Sequence, residues 1–214
     1  MGRDRSENPT SRSRLGQLWH KAAPGIQQKL FKVLADPQTR LFSACAEGDL
    51  DLVKTCQDQG ADITAKDNLA LLNAAKHGHL DIVKHLVEEG ADLVAGNYIS
   101  LVQAAKYGHL EVVKYLHAEG ADLTARHNQA LTWAAENGHL DIVKYMDAWG
   151  INFNYPDNVP LRQAVHYKHY DVAHYMVEEG GANISALSET ERYNVQAYSL
   201  LSNIGHTNPP HPEL

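Results

Sequence analysis

The triplet Gly78-His79-Leu80 returns as Gly108-His109-Leu110 and Gly138-His139-Leu140, each copy 30 residues after the last. Gly48-Asp49-Leu50 precedes the series at the same spacing, and a worn copy, Lys168-His169-Tyr170, follows it. A second marker keeps step as Gly60-Ala61-Asp62, Gly90-Ala91-Asp92, Gly120-Ala121-Asp122 and Gly150-Ile151-Asn152; its last copy, Gly181-Ala182-Asn183, arrives one residue late. A period of this length, held over five copies, specifies a one-dimensional stack of small supersecondary units.

Inside one copy the apolar spacing predicts two short helices. Leu71 to His77 forms the first, Gly78 interrupts, and Leu80 to Val87 forms the second. On the second helix Leu80, Val83, Leu86 and Val87 fall at helical spacing, with Asp81, Lys84 and Glu88 turned to water. The first helix carries a small pair that allows close approach of its neighbours: Ala44-Cys45, Ala74-Ala75, Ala104-Ala105, Ala134-Ala135 and Ala164-Val165. Leu41, Leu71, Leu101, Leu131 and Leu161 fill the next core column. Gly90 suits a left-handed helix stop. One copy has too little apolar surface to fold alone, so neighbours must stack to bury it.

Ala-Ala-x-x-Gly-His-Leu-x-x-Val-Lys followed by Gly-Ala-Asp resembles the signature of the ankyrin-repeat family over roughly residues 39–190. The resemblance implies an all-α solenoid of about five helix-turn-helix repeats. It departs in length, since the usual period is 33 residues. In place of the family's Gly-x-Thr-Pro-Leu turn stand Asp67-Asn68-Leu69-Ala70-Leu71, Asn97-Tyr98-Ile99-Ser100-Leu101, His127-Asn128-Gln129-Ala130-Leu131 and Asp157-Asn158-Val159-Pro160-Leu161. This shortened form is similar to ankyrin proteins of giant DNA viruses and of some amoebae and bacteria. It implies a blunter tip without the long projecting hairpin; Asn and Asp there tolerate left-handed geometry.

The ends read as caps and tails. Residues 1–24 form a basic tail expected to be disordered, 25–38 an N-terminal capping helix, 39–190 the array, 191–204 a C-terminal capping helix and 205–214 a flexible tail. Ser188 and Glu191 are spaced as a capping box, and Tyr193, Ala197, Leu200 and Leu201 continue a helix expected to shield the last repeat.

The net charge of −7 is unevenly spread. Residues 1–40 hold eight Lys or Arg against three acids, a charge of +5; the remainder, with eleven against twenty-three, is at −12. An acidic array disfavours a nucleic-acid backbone as its partner. No apolar run approaches the roughly 20 residues that cross a bilayer, so membrane insertion is not expected. Two cysteines, Cys45 and Cys56, fall in core columns and agree with a cytoplasmic location, which is the host cytoplasm if the source is viral or a bacterial effector. Met1-Gly2-Arg3-Asp4-Arg5-Ser6 fits the loose pattern for an N-terminal myristoyl group, with a charged Arg3 that disfavours it.

Thirteen histidines raise the question of a metal, yet His79, His109, His139 and His169 form one column roughly 10 Å apart, too far for a shared ion. The resemblance implies that this histidine is a structural hydrogen-bonder at the inter-helix turn. No nucleophile elbow, phosphate loop or His-Glu-x-x-His is present, so neither catalysis, a metal nor a cofactor is expected. The resemblance places binding on the concave face, made from first helices and turn tips. Aromatics stand there where the fold does not demand them, and aromatics anchor interfaces. The candidate partner-binding residues are Tyr98, Lys106, Tyr107, His127, Trp133, Glu136, His166 and Tyr167, with Asn68, Leu69, Ile99, Gln129, Asn158 and Val159 at the tips. The expected partner of a monomeric chain is another protein. The alternative reading is an adaptor or effector that couples its target to a membrane or second machine through the basic N-terminal tail.

Overall fold

The computed structural model describes residues 36–203. The basic tail at 1–24, most of the 25–38 helix and the 205–214 tail lie outside them. Among the described residues the chain is all helical, without a strand: α1 Pro37–Glu47, α2 Leu50–Asp58, α3 Ala65–His77, α4 Leu80–Glu88, α5 Ile99–Lys106, α6 Leu110–Ala118, α7 Ala125–Glu136, α8 Leu140–Ala148, α9 Val159–His166, α10 Tyr170–Glu178 and α11 Glu189–Asn203. Asp36 to Gln38, read from sequence as the end of a capping helix, open the first array helix. Asp36 is its N-cap, with Oδ1 accepting from the Thr39 amide, and Pro37 sits where its missing N–H does no harm.

Five helix pairs stack in register. First helices bury the leucine column and the small pairs beside it, Leu41 through Leu161 at 0–1% exposure. Second helices bury a narrower stripe than periodicity predicts: Ile82, Val83 and Leu86 are enclosed, whereas Leu80 and Val87 are only half-buried at the helix margins. Cys45 and Cys56 are free and enclosed in this core; burial pushes the Cys45 thiol up to about 12, so it behaves as a small hydrophobe.

Two seams join each copy to the next. At the inter-helix turn Gly48, Gly78, Gly108 and Gly138 adopt left-handed φ between 76° and 82°. Their missing side chain leaves room for the histidine of the following copy. A Cβ on Gly108 would lie 2.7 Å from the His139 ring, and one on Gly48 equally close to His79. Each ring then donates from Nε2 to a carbonyl 33 residues back: His79 to Ala46, His109 to Lys76 and His139 to Lys106, at 2.9–3.0 Å. The structural role implied for this column therefore holds at three junctions. Lys168 takes the glycine's place in the last copy, at φ 66°, where α11 rather than another repeat follows.

The second seam lies at the shortened tips. Lys66-Asp67-Asn68, Gly96-Asn97-Tyr98 and Arg126-His127-Asn128 each run three successive residues in the left-handed region, and Asp157-Asn158 run two. This tight left-handed turn replaces the hairpin and swings its third residue inward. Asn68, expected from sequence to project at its tip, is consequently buried at 5% exposure, and Asn128 in the corresponding place is buried at 3%. Asp92 N–H donates to Asn68 Oδ1, and Asn128 Nδ2 donates to the carbonyls of Asn152 and Tyr155. Gln38 makes both bonds to the backbone of Asp62. Just before each tip Asp62, Asp92, Asp122, Asn152 and Asn183 accept from the amide two residues on.

The late arrival of Gly181 has a packing reason. Phe153 fills a column held elsewhere by Ile63, Leu93 and Leu123, and a Cβ on the extra residue, Gly180, would run into its ring. The C-terminal helix opens on the predicted capping box, with Ser188 N–H donating to Glu191 Oε2 and the Glu191 amide to Ser188 Oγ. Its shielding face differs from the expected one. Val195 is buried and Tyr198 lies against His174, whereas Tyr193 and Leu200 point outward at 67% and 70% exposure.

Candidate functional site

The first helices present their last turn and C-cap on one face. Here Lys106, at the end of α5, lays its ammonium 3.7 Å from the centroid of the Trp133 ring, which stands on α7 of the next copy. The same ammonium lies 5.9 Å from the Tyr107 ring, and Lys76 of the preceding copy reaches that ring at 5.5 Å. A cation over an indole face is held by the ring quadrupole and fixes both groups. Three of the candidate residues, Lys106, Tyr107 and Trp133, thus form one cluster across two copies, with Lys76 joining it from a third. Trp133 is half-buried against the core, while Tyr107 stands 44% exposed.

The other candidates fall in separate places. His166 and Tyr167 end α9 and stack edge-to-face at 4.9 Å, with Tyr167 51% exposed. Glu136 is half-buried in the last turn of α7. Tyr98 packs partly into the core as the inward residue of its left-handed turn, so it serves its neighbours as well as any surface. His127 is exposed at a tip, its Nδ1 hydrogen-bonded at 2.8 Å to the Tyr155 hydroxyl.

Beside that last pair the tips of the fourth and fifth copies enclose an open cleft of about 420 Å³, lined by Thr124, His127, Asn128, Ile151 and Tyr155 among others. Tyr155 escaped the sequence reading. Its signal was an aromatic in Asn154-Tyr155-Pro156, where the other copies have Ala65, Ala95 and Ala125.

The opposite, second-helix side is bonded differently. His85 donates to Gln57, His117 bonds the Tyr145 hydroxyl and Tyr175 donates to Asp147, each across 28 residues. The hydrogen bond to Asp147 pushes the Tyr175 phenol up to about 12. Charge divides sharply between the layers. The segments 48–63, 78–93, 108–123, 138–153 and 168–183 carry sixteen acids against five lysines, a charge of −11; the first-helix and tip segments between 36 and 167 carry five acids against six bases, or +1.

The family model described as ankyrin repeats (3 copies) matches residues 14–97 and 101–187. No curated protein matches the chain. Among the described residues no helix is long and apolar enough to cross a membrane.

Proposed function

Because the chain belongs to the ankyrin-repeat family, whose arrays are general protein–protein interaction modules, we propose that it binds another protein on the concave face formed by its first helices and tips. The observation that carries this reading is the Lys106–Trp133–Tyr107 cluster. It supplies rigid aromatic area at the middle of the array, with cations already aligned over the rings. Interfaces draw most of their energy from such central aromatic anchors. Tyr167 and His166 extend the surface toward the last copy, while Tyr98, His127 and Glu136 set its rim and electrostatic preference. The chain acts by binding rather than by catalysis, as a single copy in the cytoplasm. The adaptor alternative rests on the +5 head, whose sign is opposite to that of the array.

The test begins with cross-linked capture from the source cell and continues with affinities for the recovered partner. Trp133→Ala with Tyr107→Ala weakens binding by at least about tenfold with helicity unchanged. Lys114→Ala with Lys144→Ala, on the second-helix side, changes it by less than about twofold. The reverse pattern would move the interface to the convex side.

A further inference from the structure

The C-caps of the second helices form a column along the outer edge: Gln59, Glu89, Glu119, Trp149 and Glu179, all exposed. One aromatic interrupts it. Trp149 is 60% exposed, yet it is braced from behind, its ring meeting His117 edge-on at 4.6 Å and Tyr145 at 6.4 Å. The brace is itself tied, since His117 Nδ1 bonds the Tyr145 hydroxyl at 2.8 Å, and both residues are half-buried. A solvent-facing indole is therefore held rigid at a position where the neighbouring copies place carboxylates. In contrast to Trp133, which carries Lys106, the ring partners of Trp149 stand edge-on to it.

We propose that this edge is a docking track for an extended Arg- or Lys-bearing segment of a partner protein, with one cation over the Trp149 ring and its neighbours on Glu119 and Glu179. Charge complementarity supports a cationic occupant, because the second-helix layer carries −11 of the array's charge. The lysines of α6 and α8 are turned elsewhere, Lys114 to Glu111 at 2.7 Å and Lys144 over the Tyr175 ring at 5.2 Å. Spacing supports an extended one. Stacked helices lie about 10 Å apart, and a segment in the extended polyproline II conformation covers that in about three residues at ~3.1 Å each, with every third side chain on the same side. A segment with a cation at every third residue meets Glu119, Trp149 and Glu179 in turn. This track is built on the C-caps of the second helices and the central cluster assigned above on the first helices, so either assignment can fail alone.

The probe is a fluorescein-labelled nine-residue peptide of Gly and Ser with Arg at positions 1, 4 and 7, titrated into the full chain at low salt and read by anisotropy. Its control is an isomer with the three Arg contiguous. The spaced peptide binds about tenfold more tightly than the isomer, and added salt weakens it. Trp149→Ala costs about tenfold and Trp149→Phe less, while Trp133→Ala leaves binding within about twofold; circular dichroism confirms that the variants fold. Equal binding of the two peptides overturns the register, and indifference to both Trp149→Ala and the pair Glu119→Gln, Glu179→Gln overturns the site. If replacing Arg3, Arg5, Arg12 and Arg14 by Gln raises peptide affinity about tenfold, the chain's own head occupies the track and the partner assignment falls. If the free chain self-associates and Trp149→Ala abolishes it, the occupant is a second copy and the assignment falls likewise.

Discussion

The seam at the inter-helix turns and the seam at the tips join the same neighbours by opposite strategies. At the turns one device recurs: a left-handed glycine vacates space and the next copy's histidine fills it and bonds a carbonyl beyond. At the tips the corresponding column reads Gln38, Asn68, Tyr98, Asn128 and Asn158, and the bonding changes along it. Gln38 and Asn68 accept from the amides of Asp62 and Asp92, whereas Asn128 donates to two carbonyls. Tyr98 has no amide to offer, and Arg126 ties the third and fourth tips instead by donating to the Gly96 carbonyl. Asn158 keeps a buried Oδ1 without a partner, while Asn154 bonds the Gly181 carbonyl and the Asn183 amide. Uniform chemistry sets the pitch of the stack, which frees the tips to vary in shape and charge.

The sharpest way to break this contrast is to add a methyl group at the turn seam. Gly108→Ala forces a left-handed alanine and pushes the His139 ring off the Lys106 carbonyl, so it destabilises by about 3 kcal/mol in urea melts. Gly120→Ala meets the same backbone restriction with nothing within 4 Å and loses only about 1 kcal/mol. Similar losses would show that the histidine contributes little.

At the tip seam, Asn128→Ala removes the donor to the Asn152 and Tyr155 carbonyls and costs about 2 kcal/mol, whereas Asn158→Ala, whose Oδ1 is already unpartnered, costs less. A smaller effect comes from pH. Burial holds the His109 imidazole below its ordinary 6.5, so the unfolded chain binds the proton more readily. Its contribution is complete above that value and is lost as pH falls from about 6.5 toward the folded value; His109→Gln flattens the urea midpoint between about pH 7 and 5.5. Asp36, Asp62 and Glu191, held low by hydrogen bonds from Thr39, Thr64 and Ser188, act in a separate window. Their contribution is present above the ordinary carboxylate range and is lost only as pH falls below about 4. Smallest of all, Lys168→Gly relieves a left-handed lysine where no histidine follows and stabilises by about 0.5 kcal/mol.

The regular seam was legible because it is written in period: Gly-His at a fixed spacing, Leu and Ala-Ala in step, a left-handed stop at Gly90. The tips were not, because helical and strand periodicities say nothing of three successive left-handed residues, and such a turn reverses where side chains point. Asn68 therefore reads as exposed and is buried, while Tyr98 reads as a free aromatic and is half packed. The Lys106–Trp133 contact joins residues from adjacent copies, and only the stacking reveals it. Trp149 had a signal in its column of acids. That column lay on the face a binding site was not expected to use.

The glycine and histidine of one junction belong to different copies, and this gives the array a polarity with evolutionary weight. A 30-residue unit duplicated in frame carries both halves of the device, a receptacle for its successor and a plug for its predecessor, so lengthening the interior leaves every new boundary already matched. Duplication of the final unit does not, because Lys168 would confront an incoming imidazole. The chain can thus lengthen from within by whole units, while its last copy acts as an inherited terminator.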